Sequence, residues 1–576
     1  MRKCMFQVMV LSFLFLFVST TVGAQTAIIQ KHGALVYPVE AQNGMVVTGQ
    51  PLATKAGLAV LEKGGNAIDA AVTIGFVMAV TLPRAGNIGG GGFMLVKSAD
   101  SDDVVAIDYR EKAPAGASRD MYLDKDGNAD SFLSRFSYFA VGVPGTVAGL
   151  AYALEQYGTI SLEEALAPAI KYAEEGYILN DKHVKDIHAR EKRLRRYPST
   201  EKVFFKEDGS FYEVGELFVQ PDLAKTLQLI AKEGPDAFYT GEIADLIVKQ
   251  MEENKGLITK EDLADYQPGI RKPVHGTYRG YDIFSMCPPS SGGAHIVQIL
   301  NILEGFDIGY LGHNSAETIH LMAEAMTRAY ADRSEYLGDT DFVDVPLKGI
   351  TSKAYAAELR KQINRFRATV SSQIKPGNAP GYESDETTHF SIVDKYGNAV
   401  ANTYTINFSF GSGIVVDGAG FLLNNEMDDF SAKPGVPNAY GLIGGDANAV
   451  EPNKRMLSSM SPTIVLKDGN VFLVTGSPGG ARIITTTLQV IMNVIDHGMN
   501  IQEAVNAPKI HHQWLPDEIR IEKGISLDTI KILTSMGHKV SLKGPMGAAS
   551  SVLVDQETGL LYGASDPRRQ GLALGY

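Results

Sequence analysis

Between Ile374 and Glu386 the chain reads Ile-Lys-Pro-Gly-Asn-Ala-Pro-Gly-Tyr-Glu-Ser-Asp-Glu, and the apolar periodicity differs on its two sides. A stretch this rich in proline and glycine predicts an exposed linker. Ahead of it helical spacing dominates: residues 144 to 266 are mostly helical in period, with Pro144-Gly145 opening one helix and Leu162–Gly176 forming another. Ala316–Leu337 adds a helix with Ile319, Met322, Met326, Ala329 and Tyr330 on its apolar side. After the linker the pattern alternates. His389–Asp394 and Ala399–Thr405, around a turn carrying Gly397-Asn398, predict a β-hairpin. Strands at Thr463–Lys467 and Val471–Thr475 and a helix over Ala481–Asp496 follow, so paired strands covered by helices predict a layered sheet. A length of 576 residues is compatible with three or four domains or with one unusually large fold.

The amino-terminal half carries its own punctuation. Pro51–Val80 reads as two small-residue helices joined by Gly64-Gly65-Asn66, with Pro83 ending the second. Gly86–Gly92 then leads into strands at Phe93–Val96 and Val104–Arg110. The glycines lack G-x-G-x-x-G spacing and precede strands, which argues for close backbone approach and against a dinucleotide site.

Residues 1–24 depart from everything after them: Arg2 and Lys3, an apolar run from Val8 to Val18, then Val22-Gly23-Ala24. This predicts a secretory signal peptide cleaved after Ala24; the alternative, an uncleaved anchor, needs about 20 apolar residues. With 66 acidic against 53 basic residues the net charge is -13, which excludes a basic nucleic-acid binder. Cys287 is the one cysteine left after the leader is removed, so neither an intramolecular disulfide nor a thiolate metal cluster is available. No histidine adjoins it to activate the thiol, and it reads as a buried small hydrophobe rather than a nucleophile. No later window is apolar enough to span a membrane.

G-x-x-x-x-G-K-[ST], H-E-x-x-H, C-x-x-C and G-x-S-x-G are all absent. His511 and His512 are adjacent and face opposite ways on a strand, so they cannot chelate one ion. Asn407-Phe408-Ser409 fits a glycosylation sequon, a pattern too short to argue from. Asp385-Glu386-Thr387-Thr388-His389 at the linker-to-strand boundary is more informative. A threonine hydroxyl needs a base beside it, and a threonine freed at its amino terminus supplies one in its own α-amine, with a pKa of about 7.7–8.0. Read from the residues alone, Thr387-Thr388 equally suits the plain opening of a β-strand.

Thr387–Asp394, Leu422-Leu423-Asn424-Asn425-Glu426-Met427-Asp428-Asp429-Phe430, Leu457–Pro462 and Gly476-Ser477-Pro478-Gly479-Gly480 together closely resemble the γ-glutamyltransferase (γ-glutamyltranspeptidase, glutathione hydrolase) family. So do Gly64–Ala71, Gly89–Phe93, Asp108–Glu111 and Pro288–Gly293, and the resemblance runs from about Gly44 to Tyr576. It implies an α/β (α+β) fold, the four-layer αββα sandwich of the N-terminal-nucleophile hydrolases, built from a precursor that cuts itself. On this chain the large subunit is then Gln25–Glu386 and the small subunit Thr387–Tyr576, the two staying together as a heterodimer after cleavage at Glu386–Thr387.

The same resemblance implies the site. Thr387 is the nucleophile, oriented by Thr405; Arg110, Ser458 and Ser459 take the substrate carboxylate; Asn407, Glu426 and Asp429 take its ammonium; Gly479 and Gly480 offer backbone N–H groups to the oxyanion. Each residue alone has an ordinary reading as a turn, an ion pair or a solvated charge. Pro434–Arg455 resembles the lid loop of bacterial members, with Tyr440 its gating aromatic. The expected reaction is transfer of the γ-glutamyl group of glutathione or another γ-glutamyl compound, through a threonine ester, to water or to an amino acid or dipeptide. No metal or organic cofactor is implied. An exported protein of this kind suits the bacterial periplasm or secretion. The rivals are an acylase acting on glutaryl-β-lactams or poly-γ-glutamate, and an uncleaved γ-glutamyl-binding protein.

Overall fold

The fold is that of a computed structural model, which describes residues 36–374, 387–433, 442 and 444–576. Strands gather into two seven-stranded antiparallel sheets. The first runs Val39–Ala41, Leu561–Ser565, Ser550–Val554, Asn470–Gly476, Thr463–Lys467, Tyr281–Ser285, Val274–Tyr278. The second runs Leu572–Gly575, Met45–Thr48, Thr388–Val393, Ala399–Thr405, Gly91–Lys97, Val104–Tyr109, Gly269–Arg271.

The period-two alternation of each strand sorts its side chains into layers. In the second sheet Val46, Met94, Val96, Ile392 and Val400 face the Pro51–Glu62 and Ala67–Thr81 helices. Their neighbours Met45, Val47, Phe93, Leu95 and Ala401 face inward and meet Ile464, Leu466, Val474 and Val552 of the first sheet. Val465, Leu473 and Leu553 point the other way, onto the Gly292–Leu303 and Arg482–Ile495 helices. Helix, sheet, sheet and helix therefore stack as an αββα sandwich. Both sheets are covered on both faces, which is why the Thr388–Val393 and Ala399–Thr405 strands are buried at every position.

Each sheet draws strands from both sides of residue 387, so the chain forms one interleaved fold and not a string of separate domains. Sequence periodicity located the Thr388–Val393 and Ala399–Thr405 hairpin and the Pro51–Glu62, Ala67–Thr81 and Ala316–Tyr336 helices within a residue or two. Every residue of Ala67–Thr81 is buried, as expected of a helix apolar all round. The hairpin turn is tied to this helix: Asp394 accepts from Tyr396 and Asn398 within the turn and from Ala67 N–H at the helix start, at 2.7 Å. The expected linker lies, from residue 375 on, outside the described residues.

Candidate active site

Thr387 immediately precedes a central strand of the second sheet, and the antiparallel register Thr388↔Tyr404 sets it beside Thr405 at the end of the neighbouring strand. Both line a recess that also contains Arg110, Asn407, Glu426, Asp429, Ser458, Ser459 and Gly480. Eight positions predicted from scattered motifs, together with Gly480, thus converge on one cavity. Gly479 stands one residue behind the wall, its carbonyl accepting from Arg482 N–H at 3.1 Å. Glu386 and Tyr440 lie outside the described residues, as do the other residues of 434–441 and residue 443 of the expected lid; Leu442, from the same segment, lines the cavity.

The glycine run makes the convergence possible. A Cβ on Gly90 would come within 2.0 Å of the Thr405 carbonyl oxygen, and one on Gly89 within 2.1 Å of the Leu422 carbonyl. Only glycine lets these backbones meet, and the meeting brings the Asn424–Asp429 segment against Thr405. Asn424 locks it, donating to the Gly89 and Gly142 carbonyls at 2.9 and 2.8 Å.

The polar end of the cavity is electrostatically lopsided. Arg110 is fully buried, pairs with Glu426 through one terminal nitrogen and with Asp429 through the other at 2.6 Å, and donates from Nε to the Met456 carbonyl. Glu111 adds a third carboxylate at 3.5 Å. Burial, then Glu111, push Glu426 well above the usual carboxylate range despite Arg110, and burial pushes Glu111 up to about 7. Three buried carboxylates face one guanidinium, and Oε2 of Glu426 has no hydrogen-bond partner. Arg333, which also lines the cavity and acts on Asp429, is a second guanidinium, so the three carboxylates, when ionised, outnumber the positive charges by one.

The serines are held from behind. Ser291 N–H and Oγ both donate to the Ser458 carbonyl, at 2.9 and 2.8 Å, and Ser290 Oγ donates to the Met460 carbonyl at 2.6 Å. The Ser458 hydroxyl accepts from Met460 N–H, and that of Ser459 from Arg333, so each hydroxyl proton is directed elsewhere. Gly480 has φ +56 and directly precedes the Arg482–Ile495 helix, whose N-terminal end favours negative charge. Thr405 Oγ1 accepts from Asn407 N–H at 2.8 Å, which leaves its own proton for another acceptor.

Sequence reasoning missed two arginines, Arg333, which is buried, and Arg569, which is half-buried. Arg333 lines the cavity and bonds Ser291 Oγ at 2.9 Å; it continues the buried stripe of Met326 and Tyr330, and a charge at that helical phase was the available signal. Arg569 donates to the Thr387 carbonyl at 3.0 Å, and nothing in its local sequence marks it. Cys287 is buried, and burial pushes its thiol up to about 12, as expected of a packing residue. His511 and His512 are buried and bonded to Thr485 and Thr327, in structural roles. Asn407, of the sequon, is buried in the cavity.

A stacked αββα sandwich with a threonine at the head of a central strand, beside a charged cavity, is the architecture of an N-terminal-nucleophile hydrolase. Comparison with known proteins narrows this: the family model for gamma-glutamyltranspeptidase matches residues 53–576, and the chain belongs to that family. It is 56% identical to the glutathione hydrolase proenzyme of Escherichia coli (strain K12), over 94% of this chain and 93% of that one. It is 38% identical to the acylase ACY 1 proenzyme of Pseudomonas sp. (strain SE83), over 93% and 94% of the two chains. Among solved structures, cephalosporin acylase from Bacillus halodurans superposes with a TM-score of 0.83 at 29% identity, covering 95% of this chain and 98% of that one.

Proposed function

We propose that this enzyme transfers γ-glutamyl groups from glutathione and related γ-glutamyl compounds, with Thr387 as nucleophile. The observation that carries the reading is the cavity itself, where Thr387 and a buried group short of one positive charge share one recess. A γ-glutamyl substrate carries a carboxylate and an ammonium on its α-carbon. Its ammonium would supply the missing charge at Glu426, Asp429 and Asn407, and its carboxylate would take a share of Arg110 with hydroxyl donation from Ser458 and Ser459. A glutaryl group has no ammonium and would leave Glu426 uncompensated, which disfavours the acylase alternative.

The chain matures by attack of the Thr387 hydroxyl on the Glu386 carbonyl. The peptide becomes an ester, water hydrolyses it, and Gln25–Glu386 and Thr387–Tyr576 remain associated through their shared sheets. The freed α-amine then accepts the hydroxyl proton as Oγ1 attacks the γ-amide carbon. Backbone N–H groups of Gly479 and Gly480 stabilise the oxyanion, the leaving amine takes the proton, and a γ-glutamyl ester remains. Water, an amino acid or a dipeptide accepts the acyl group. As written, the sequence of steps calls on no metal or organic cofactor. Residues 1–24 act as a signal peptide and the enzyme works in the periplasm or outside the cell. Among the described residues no helix is long and apolar enough to cross a membrane.

The deciding experiment is the intact mass of the purified protein under denaturing conditions, with the first residue of each species identified. Two chains, one beginning at Thr387, are expected; a single chain after prolonged incubation overturns the mechanism.

A further inference from the structure

His320 and Glu324 stand one helical turn apart on the Ala316–Tyr336 helix and leave it on one face. His538, just beyond the Leu527–Ser535 helix, closes on them from the later part of the chain. His320 Nδ1 and His538 Nε2 are 2.7 Å apart, and ligand atoms of all three residues lie within 4.8 Å of one another. None of the three lines the Thr387 cavity.

The hydrogen bonds around them settle which atoms carry lone pairs. His320 Nε2 is 2.7 Å from the Asn364 carbonyl, which can only accept, so Nε2 holds the ring proton and Nδ1 the lone pair. Glu324 is held by Arg328, whose NH1 donates to Oε2 at 2.7 Å, and by Thr369, whose hydroxyl and N–H donate to its two oxygens at 2.7 and 2.8 Å. A histidine fixed through its far nitrogen to a backbone carbonyl, and a carboxylate fixed by outer donors, is the support that ligands of a divalent ion receive. His538 is half-buried and offers a path from solvent.

We propose that His320 Nδ1, His538 Nε2 and Glu324 form a site for a divalent transition ion of the zinc class, distinct from the catalytic cavity. Two imidazoles and one carboxylate suit zinc, cobalt or nickel; magnesium and calcium prefer sites built of oxygen alone. In the bound form the His538 ring proton sits on Nδ1, which turns the Nε2 lone pair toward the ion. The two nitrogens must spread to about 3.3 Å to coordinate tetrahedrally at about 2.0–2.1 Å, a small adjustment for a half-buried side chain. Water fills the fourth position. Arg328 offsets part of the Glu324 charge and sets the affinity below that of an all-ligand structural zinc site. Because His320 and Glu324 precede residue 387 and His538 follows it, the ion ties the two segments together; this last clause rests on the proposed cleavage.

The test uses the untagged protein, stripped of metal by a chelator and titrated with Co²⁺ alone, then Zn²⁺ alone. We expect one equivalent of Co²⁺ with the visible absorption of a four-coordinate ion, its displacement by Zn²⁺, and a thermal midpoint raised by saturating Zn²⁺. His538→Gln should fold and lose the band; Thr369→Val should keep it with affinity weakened by about 10- to 100-fold. Turnover of a γ-glutamyl anilide should be unchanged by chelator. Absence of the band in natively folded wild-type protein, or the same band and stoichiometry in His538→Gln, overturns the proposal. A chain that is found uncut yet shows the band overturns the cleavage reading and supports the ion site, so the two failures are distinguishable.

Discussion

Arg110 and Asp429, 319 positions apart in the chain, form an ion pair of 2.6 Å inside the cavity that also holds Thr387. With Glu426 on the other terminal nitrogen, the guanidinium is a protein-internal stand-in for the counter-charge a substrate would bring. Glu426→Gln removes the acceptor charge and leaves Arg110 in place. We expect kcat/KM on a γ-glutamyl anilide to fall by about 100-fold or more, corresponding to about 3 kcal/mol, while the rate on a glutaryl anilide changes little. Equal losses on both would remove Glu426 from ammonium recognition.

Thr387→Ala should remain one chain and turn over nothing, since both steps use the same oxygen. Thr387→Ser retains a hydroxyl and should be cut, more slowly. Denaturing electrophoresis over time reads both, and cleavage of the alanine variant at the wild-type rate would place the nucleophile elsewhere.

Arg569 anchors the Thr387 carbonyl with a charged hydrogen bond, an interaction of about 1.5–3 kcal/mol. Arg569→Met should slow appearance of the two chains by about tenfold or more. Cleavage at an unchanged rate would show that this anchor does not position the threonine.

Gly90→Ala places a methyl group 2.0 Å from the Thr405 carbonyl oxygen, a backbone atom with nowhere to go. The variant should be destabilised by at least about 1–3 kcal/mol and lose cleavage with it. Urea unfolding and the chain pattern report the two effects separately; an alanine variant of wild-type stability would mean that the strands can part.

His389 is buried between the sheets, bonded to Thr403 and Ser391 at 2.8 and 3.0 Å, and burial pushes its ring down to about 3. Unfolded, the ring titrates near the ordinary value of about 6.5, so below that pH the unfolded chain binds a proton that the folded chain does not. Its contribution is fully present above about pH 6.5 and is lost as pH falls toward 3, by up to about 1.4 kcal/mol per pH unit. The unfolding free energy of wild type minus His389→Gln should therefore shrink between pH 7 and pH 5. A constant difference would mean that the folded ring titrates normally.

Much was legible without coordinates because it is local. Alternation at Thr388–Val393 and Ala399–Thr405, and helical spacing at Ala67–Thr81, reflect which side of each element meets water or core. The edge strands Val39–Ala41 and Leu572–Gly575 escaped notice because each is only three or four residues long, too short to show a period. Arg569 escaped for another reason: its role depends on one contact with a residue 182 positions away.

What the sequence by itself determined is the set of chemical parts: a threonine after a linker, an arginine after a strand, paired acids, paired serines and a glycine run, in the order its family carries them. The tertiary structure decided how they combine. Sheets that interleave both halves of the chain bring Thr387, Arg110 and Glu426 into one recess, and burial there leaves three carboxylates around one guanidinium. Composition counts charges over the whole chain; only folding decides which of them lose their water together and must be balanced by one another or by a ligand.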